Sequence, residues 1–260
     1  MEKVGDNCLL KIQMTLGDLI VFESDDFIVL NKPSGLLSIP DREGKDVSLK
    51  RLLLDHRPQI FTVHRLDKGT SGLIVFAKTE AAHKHLSVQF ESHKAKKIYL
   101  GLVIGTPLEK KGSIDSPIME HPVKKGLMVI NRKGKESRTD YEVLDDFGIY
   151  SWVRFQIHTG RTHQIRVHMK DIGHPIACDD LYGDGKPIFL SSIKHNFKLS
   201  KNQEEERPIL NRLALHSFKL GFAAADKNSH EFEAAVPKDL KAMLQQLQKR
   251  RSGGLRKSAL

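Results

Sequence analysis

The chain has 260 residues, an apolar fraction of 39%, a charged fraction of 28% and a formal net charge of +10. No run approaches the roughly 18 consecutive apolar residues of a membrane span, and the opening MEKVGDNCLLKIQ lacks the apolar centre of a secretory signal. Only Cys8 and Cys178 are present, which argues against a disulfide framework, fits a reducing cytoplasm and leads both thiols to be expected as small buried hydrophobes.

The basic balance fits a polyanionic partner, because phosphate contacts reward clustered Lys and Arg by releasing condensed counterions. A merely well-solvated basic protein would carry the same charge. One basic group comprises Lys124, Lys125, Arg132, Lys133, Lys135 and Arg138; the other comprises Lys249, Arg250, Arg251, Arg256 and Lys257. Both read as surface.

In chain order, the apolar run Phe27 to Leu30 should be a strand ending in a turn at Asn31-Lys32-Pro33-Ser34-Gly35. A second strand spans Leu73 to Ala77. Thr79 then caps a helix with Ala82, Leu86 and Phe90 at helical spacing, and His93, Lys94, Lys96 and Lys97 in its last turns. Ile98, Leu100, Leu102 and Ile104 alternate with Tyr99, Gly101 and Val103, so Tyr99 is expected on the less apolar face of a strand. Pro107 to about Ser137 reads as loop. Thr139 to Leu144 and Ile149 to His158 read as a hairpin around Asp145-Asp146-Phe147-Gly148, with Ser151, Val153, Phe155 and Ile157 on one face.

Thr162 is the expected cap of a helix reaching Asp171 or Ile172, with Ile165, Met169 and Ile172 as its inner stripe. Ala214 to Phe222 alternates as a strand, His230 to Val236 forms a shorter one, and Pro237 opens a helix carrying Leu240, Met243, Leu244 and Leu247. Ser200 to Arg207 reads as a surface insertion. Meander-like strand pairs with few helices between them indicate an α+β fold rather than alternating βαβ units.

Three polar segments interrupt these elements. HRLDKGTSG, from His64 to Gly72, sets Asp67 between Arg65 and Lys68, neighbours that favour its ionised form. Composition alone allows a plain turn with a surface ion pair. TGRTHQIRVH, from Thr159 to His168, puts Arg166 one turn inside a helix, able to meet a carboxylate or a phosphate, with Arg161 and His163 near the mouth. His163 and His168 are five apart and share no helical face, so no metal is expected. GHPIACDDLYG, from Gly173 to Gly183, reads mostly as a structural loop.

HRLDKGTSGLIVFAK resembles the active-site motif of the HRLD-bearing branch of the pseudouridine synthases, whose members act on ribosomal and transfer RNA. DDFIVLNKPSG, KIYLGLV, TGRTHQIRVHM, GHPIACDDLYG and RLALHS follow in that family's order and span most of residues 20 to 236. The resemblance implies a pseudouridine synthase fold with a central mixed, largely antiparallel sheet and an RNA cleft between two halves. It implies that Asp67 attacks the target nucleoside, that Arg166 pairs with Asp67, and that Tyr99 packs beneath the base and can serve as the base in sugar deprotonation. Gly101 stands where the family more often has alanine, which should widen the local space.

The expected function is isomerisation of uridine in a ribosomal or transfer RNA to pseudouridine, with no cofactor and no metal. The alternatives are a non-catalytic RNA-binding or ribosome-assembly module and an N-glycosidase. Lys32, His64, Arg65, Lys133, Lys135, Arg161 and His163 are the expected RNA contacts. About 20 residues precede the first strand, too few for the small RNA-binding domain that many relatives carry there. Residues 1–19 are then an extension, 20–248 the catalytic domain and 249–260 a basic tail, in a protein expected to be a monomer.

Overall fold

The computed structural model describes residues 14–41, 44, 46–194, 197–199, 205–225 and 228–255. Cys8, Arg256, Lys257 and residues 200–204 of the expected insertion lie outside the described residues. The elements run α1 (Leu16–Leu19), β1 (Ile20–Glu23), β2 (Phe27–Lys32), α2 (Leu49–Leu54), β3 (Phe61–Thr62), β4 (Ser71–Ala77), α3 (Glu80–Glu91) and β5 (Lys96–Ile104). There follow β6 (Lys111–Asp115), β7 (Ile118–Glu120), β8 (Met128–Ile130), β9 (Arg138–Asp146), β10 (Tyr150–Ile157), α4 (Gln164–Asp171), β11 (Leu215–Ala223), β12 (Ser229–Glu233) and α5 (Lys238–Leu255).

Two compact units share these elements. The first takes the chain up to Tyr99 with Gln156–Thr162 and His216–Ala234; the second takes Leu100–Phe155, His163–Leu215 and the chain from Ala235.

In the first unit the strand order is β1-β2-β4-β11, with β3 beside β4 and β12 beside β11. β2 and β4 are antiparallel, Phe27 opposite Ala77 and Lys32 opposite Gly72, whereas β4 and β11 are parallel through Ser71 and His216. The sheet is therefore mixed. Helix α3 lies against it: Thr79 Oγ1 accepts the Ala82 N–H at 3.2 Å, and Ala82, Leu86 and Phe90 join Phe27, Val29, Leu73, Val75 and Phe222 in one core. Each large apolar side chain buried this way contributes roughly 1.5–3 kcal/mol. His93 takes a left-handed φ of 61° just past the helix, so Lys94, Lys96 and Lys97 follow its end rather than lining its last turn.

In the second unit the latter half of β5, β10, β9 and β6 are successive neighbours, and β6 and β9 pair antiparallel from Lys111–Glu142 to Asp115–Arg138. The region expected as loop thus contains a strand of this sheet and a separate antiparallel pair, β7 and β8. β7 and β8, at three residues each, fall below the length at which alternation is legible, and β6 (KGSID) has one large apolar residue, Ile114, to show it. Leu240, Met243 and Leu247 bury one face of α5, and Asp239 in its first turn receives Arg212 Nε at 2.6 Å and Nη2 at 2.7 Å.

Two expectations about β5 fail. Tyr99 through Val103 are all buried, so the strand has no solvent-side face and Tyr99 is enclosed as fully as Leu100. The space at Gly101 is not wide: a Cβ there would lie 3.0 Å from the Ala214 carbonyl oxygen and 3.1 Å from the Phe155 ring. The neighbours have closed over the missing methyl.

Candidate active site

Asp67 sits in a turn fastened on both sides. Ser38 Oγ donates to the Leu66 carbonyl at 2.8 Å and accepts the Leu66 N–H at 3.0 Å. The Lys68 carbonyl accepts from Gly35 N at 2.8 Å and Lys32 Nζ at 3.2 Å, and the Gly69 carbonyl accepts from Ser34 Oγ at 2.6 Å. Thr70 N closes the turn on the Asp67 carbonyl at 3.1 Å. Gly72, at φ +109°, lies so close to β11 that a Cβ would stand 2.2 Å from the Ser217 carbonyl oxygen, so no side chain fits. The NKPSG and HRLDKGTSG segments are therefore one bonded assembly, with a half-buried Asp67 at its tip.

The basic neighbours of Asp67 turn elsewhere. Lys68 Nζ pairs with Asp46 at 2.6 Å, and Arg65 Nη2 donates to Thr162 Oγ1 at 3.1 Å. That bond also corrects the expected cap: Thr162 serves Arg65, while His163 at φ 56° precedes α4 with no side-chain cap.

Tyr99 is buried in the same unit, hydrogen-bonded to Ser217. Burial, opposed by the Ser217 bond and reinforced by the Asp67 charge, pushes its hydroxyl well above the ordinary phenol range, so the neutral phenol is the resting form. In the same unit Ser71 Oγ and His216 Nδ1 lie 3.0 Å apart, both buried.

Several expected RNA contacts have structural duties here. Lys32 is fully buried, its Nζ donating to the carbonyls of Pro33 (3.0 Å), Leu36 (2.7 Å) and Lys68. An ammonium enclosed by carbonyls braces the turn and does not reach a phosphate. His64 stacks on Phe90 at 4.7 Å between centroids, and its Nε2 accepts the Val75 N–H at 3.1 Å. Burial first, then the Lys97 charge, bring its pKa down to about 3, so the imidazole is neutral with its proton on Nδ1. Arg161 is half-buried and acts electrostatically on Lys97 and His93.

In the second unit Arg166 is 6% exposed, and the fully buried Asp179 receives its Nε and Nη2, both at 2.7 Å. Asp179 Oδ1 also accepts the N–H groups of Leu181 and Tyr182, each at 3.0 Å. The guanidinium lies 5.0 Å over the Tyr182 ring, whose hydroxyl accepts the Met128 N–H at 2.9 Å and bonds His163 Nδ1 at 2.8 Å. The segment expected as a structural loop thus supplies the carboxylate and aromatic platform that orient Arg166. Its acidic pair, Asp179-Asp180, was the available signal. His168 is buried between Thr139 Oγ1 and the Ser116 carbonyl. Lys133 and Lys135 are exposed on either side of Gly134, where a Cβ would meet the Ile118 backbone at 2.6 Å. Among the described residues no His/Cys/Asp/Glu cluster could hold a metal ion, and no helix is long and apolar enough to cross a membrane.

Residues 26–171 match the family model described as RNA pseudouridylate synthase. The ribosomal large subunit pseudouridine synthase D of Nitrosomonas europaea is 37% identical over 233 residues, covering 87% of this chain and 64% of that protein. Its namesake from Yersinia pestis is 34% identical over 235 residues, covering 88% and 70%. The chain spans between 53% and 64% of the length of the first curated relatives it matches. Among solved structures, human RNA Pseudouridylate Synthase Domain Containing 1 aligns with a TM-score of 0.65 at 27% identity, over 90% of this chain and 96% of that one. Motif order, α+β architecture and these matches agree: this chain belongs to the RNA pseudouridylate synthase family.

Proposed function

We propose that the protein isomerises uridine in a structured RNA to pseudouridine, with Asp67 as the reacting carboxylate. The reaction breaks the N1–C1′ bond, turns the base and joins C5 to C1′; the C5 hydrogen leaves as a proton and N1 regains one. Atoms and electrons balance within the nucleoside, so no redox partner enters. The target must leave its stack first, which costs a few kcal/mol and favours loops. Asp67 then adds to the sugar or assists a glycal intermediate.

The observation that carries this reading is the fastening of the Asp67 turn by Ser34, Ser38 and Lys32, since a reacting group must be held before substrate arrives. Tyr99 is proposed to pack beneath the base. Arg166 is proposed to keep the reacting carboxylate ionised and oriented, a duty that suits a guanidinium's planar fork better than an ammonium. Arg65, Arg161, His163, Lys133 and Lys135 remain the proposed RNA contacts. Residues 20–248 act as the catalytic domain of a cytoplasmic monomer. The names of the two bacterial relatives favour ribosomal RNA over transfer RNA as the substrate.

The test is tritium release from C5-tritiated RNA by the purified chain, with pseudouridine mapped in cells lacking the gene. Release with every base retained on the RNA is expected. RNA binding without release would leave the non-catalytic module, and liberation of free uracil would leave a glycosidase.

A further inference from the structure

Lys97, in β5, is a largely buried cation whose charge packs against an aromatic ring. It is 5% exposed, and its Nζ lies 5.8 Å from the centre of the Phe90 ring. Among the described residues that Nζ makes no hydrogen bond and no ion pair. Its charged neighbours add to the difficulty. Burial and the like charge of Arg161 lower its pKa to about 8. His93 is held down by burial, and then by Lys97, Arg161 and His158 together. Two basic side chains and two imidazoles thus gather at one place in the first unit.

Enclosing an ammonium this way costs stability. Beyond the Phe90 ring contact the packing gives the charge little return, because a methionine would fill the same volume with its unbranched stem. A cost so poorly offset within the fold points to a ligand. The approach is also open: Gly160 is exposed, and a Cβ there would come 3.8 Å from the Lys97 Nζ, so the ammonium lies just beneath a backbone stretch bearing no side chain. Lys32 makes the contrast plain, since its equally buried ammonium is taken up by three carbonyls.

We propose that Lys97 and Arg161, flanked by His93 and His158, form a subsite for one backbone phosphate of the RNA, entered over Gly160. Lys97 supplies a fixed point charge and Arg161 a planar fork that can span two phosphate oxygens. The subsite rests on the reading of the protein as an RNA enzyme. It positions the strand and carries no base specificity.

The test uses the full chain and two probes, a fluorescein-labelled single-stranded oligouridine across a KCl series and inorganic phosphate in thermal melts. Lys97→Met should weaken oligouridine binding about tenfold and reduce the slope of log K against log salt by about 0.7, the share of one phosphate on a single strand. It should melt at or above the wild-type temperature, because it removes a largely buried charge that no hydrogen bond or ion pair holds. Phosphate should raise the wild-type midpoint and leave that of Lys97→Met unmoved. Arg161→Gln, at a half-buried position, should reproduce the loss of affinity and slope. Wild-type affinity and slope in Lys97→Met would overturn the subsite, as would a lower midpoint with the slope intact, the mark of a structural lysine. Wild-type protein that ignores oligouridine yet is stabilised by phosphate would overturn the RNA reading and keep the anion site.

Discussion

Arg166 and Asp179 form a two-point ion pair, Nε to Oδ2 and Nη2 to Oδ1 at 2.7 Å each, with the carboxylate fully buried and the guanidinium nearly so. Asp179 is itself fixed by the Leu181 and Tyr182 N–H groups, so the guanidinium plane is set before any substrate binds. A family motif supplies the arginine, and a separate segment eight residues past its helix supplies the group that aims it.

Removing Asp179 takes from the buried Arg166 its two shortest ion-pair contacts and leaves the longer one, 3.5 Å, to exposed Asp180. Asp179→Ala should therefore cost about 3–5 kcal/mol in urea unfolding. Tritium release should fall as well, because Arg166 loses its orientation. A cost below about 1 kcal/mol with normal turnover would mean that Tyr182 and the helix hold Arg166 without the carboxylate.

Asp67→Asn should end tritium release and leave oligouridine affinity roughly unchanged, since the amide keeps the shape and hydrogen-bonding capacity of the turn but cannot act as the nucleophile. Turnover at the wild-type rate would remove Asp67 from the mechanism. Arg166→Lys should lower the rate more than the affinity, because charge survives and fork geometry does not. A parallel fall in both would make Arg166 chiefly a phosphate contact.

Tyr99→Phe removes the hydroxyl bonded to Ser217 and should cost about 1 kcal/mol of stability. We expect RNA binding to persist and tritium release to slow. An unchanged rate would leave Tyr99 only its packing role beneath the base.

His64 and Glu23 predict acid sensitivity of a definite sign. His64 has a folded pKa of about 3 against an ordinary 6.5, so the unfolded chain binds the extra proton between those values and stability falls as pH drops through that window. Glu23, brought to about 2 by Arg57 foremost and then Lys78, loses its contribution as pH falls below its ordinary 4.5. Between pH 6 and 5 the histidine alone should give a slope of roughly 1 kcal/mol per pH unit in urea unfolding. His64→Gln keeps an acceptor for the Val75 N–H and should flatten that slope. An unchanged slope in the variant would show that His64 does not titrate this way.

The elements whose signal lies within a turn or two were legible in the chain. Thr79 capping α3, the stripe Ala82, Leu86 and Phe90, the alternation of Ser151, Val153, Phe155 and Ile157, and the apolar face of α5 all depend on residues a few positions apart. The motif order also located the Asp67 turn and the helix bearing Arg166. What the sequence left open was the destination of each charge. Lys32 and Lys97 are both lysines near strand ends, yet three carbonyls satisfy one and none satisfies the other. Arg65 selects Thr162, Lys68 selects Asp46 and Arg166 takes Asp179, over separations of 97, 22 and 13 residues. Periodicity and capping are local interactions that a string of residues records directly. A buried charge is satisfied by whichever acceptor the packed chain brings within about 3 Å, and only the tertiary structure decides that.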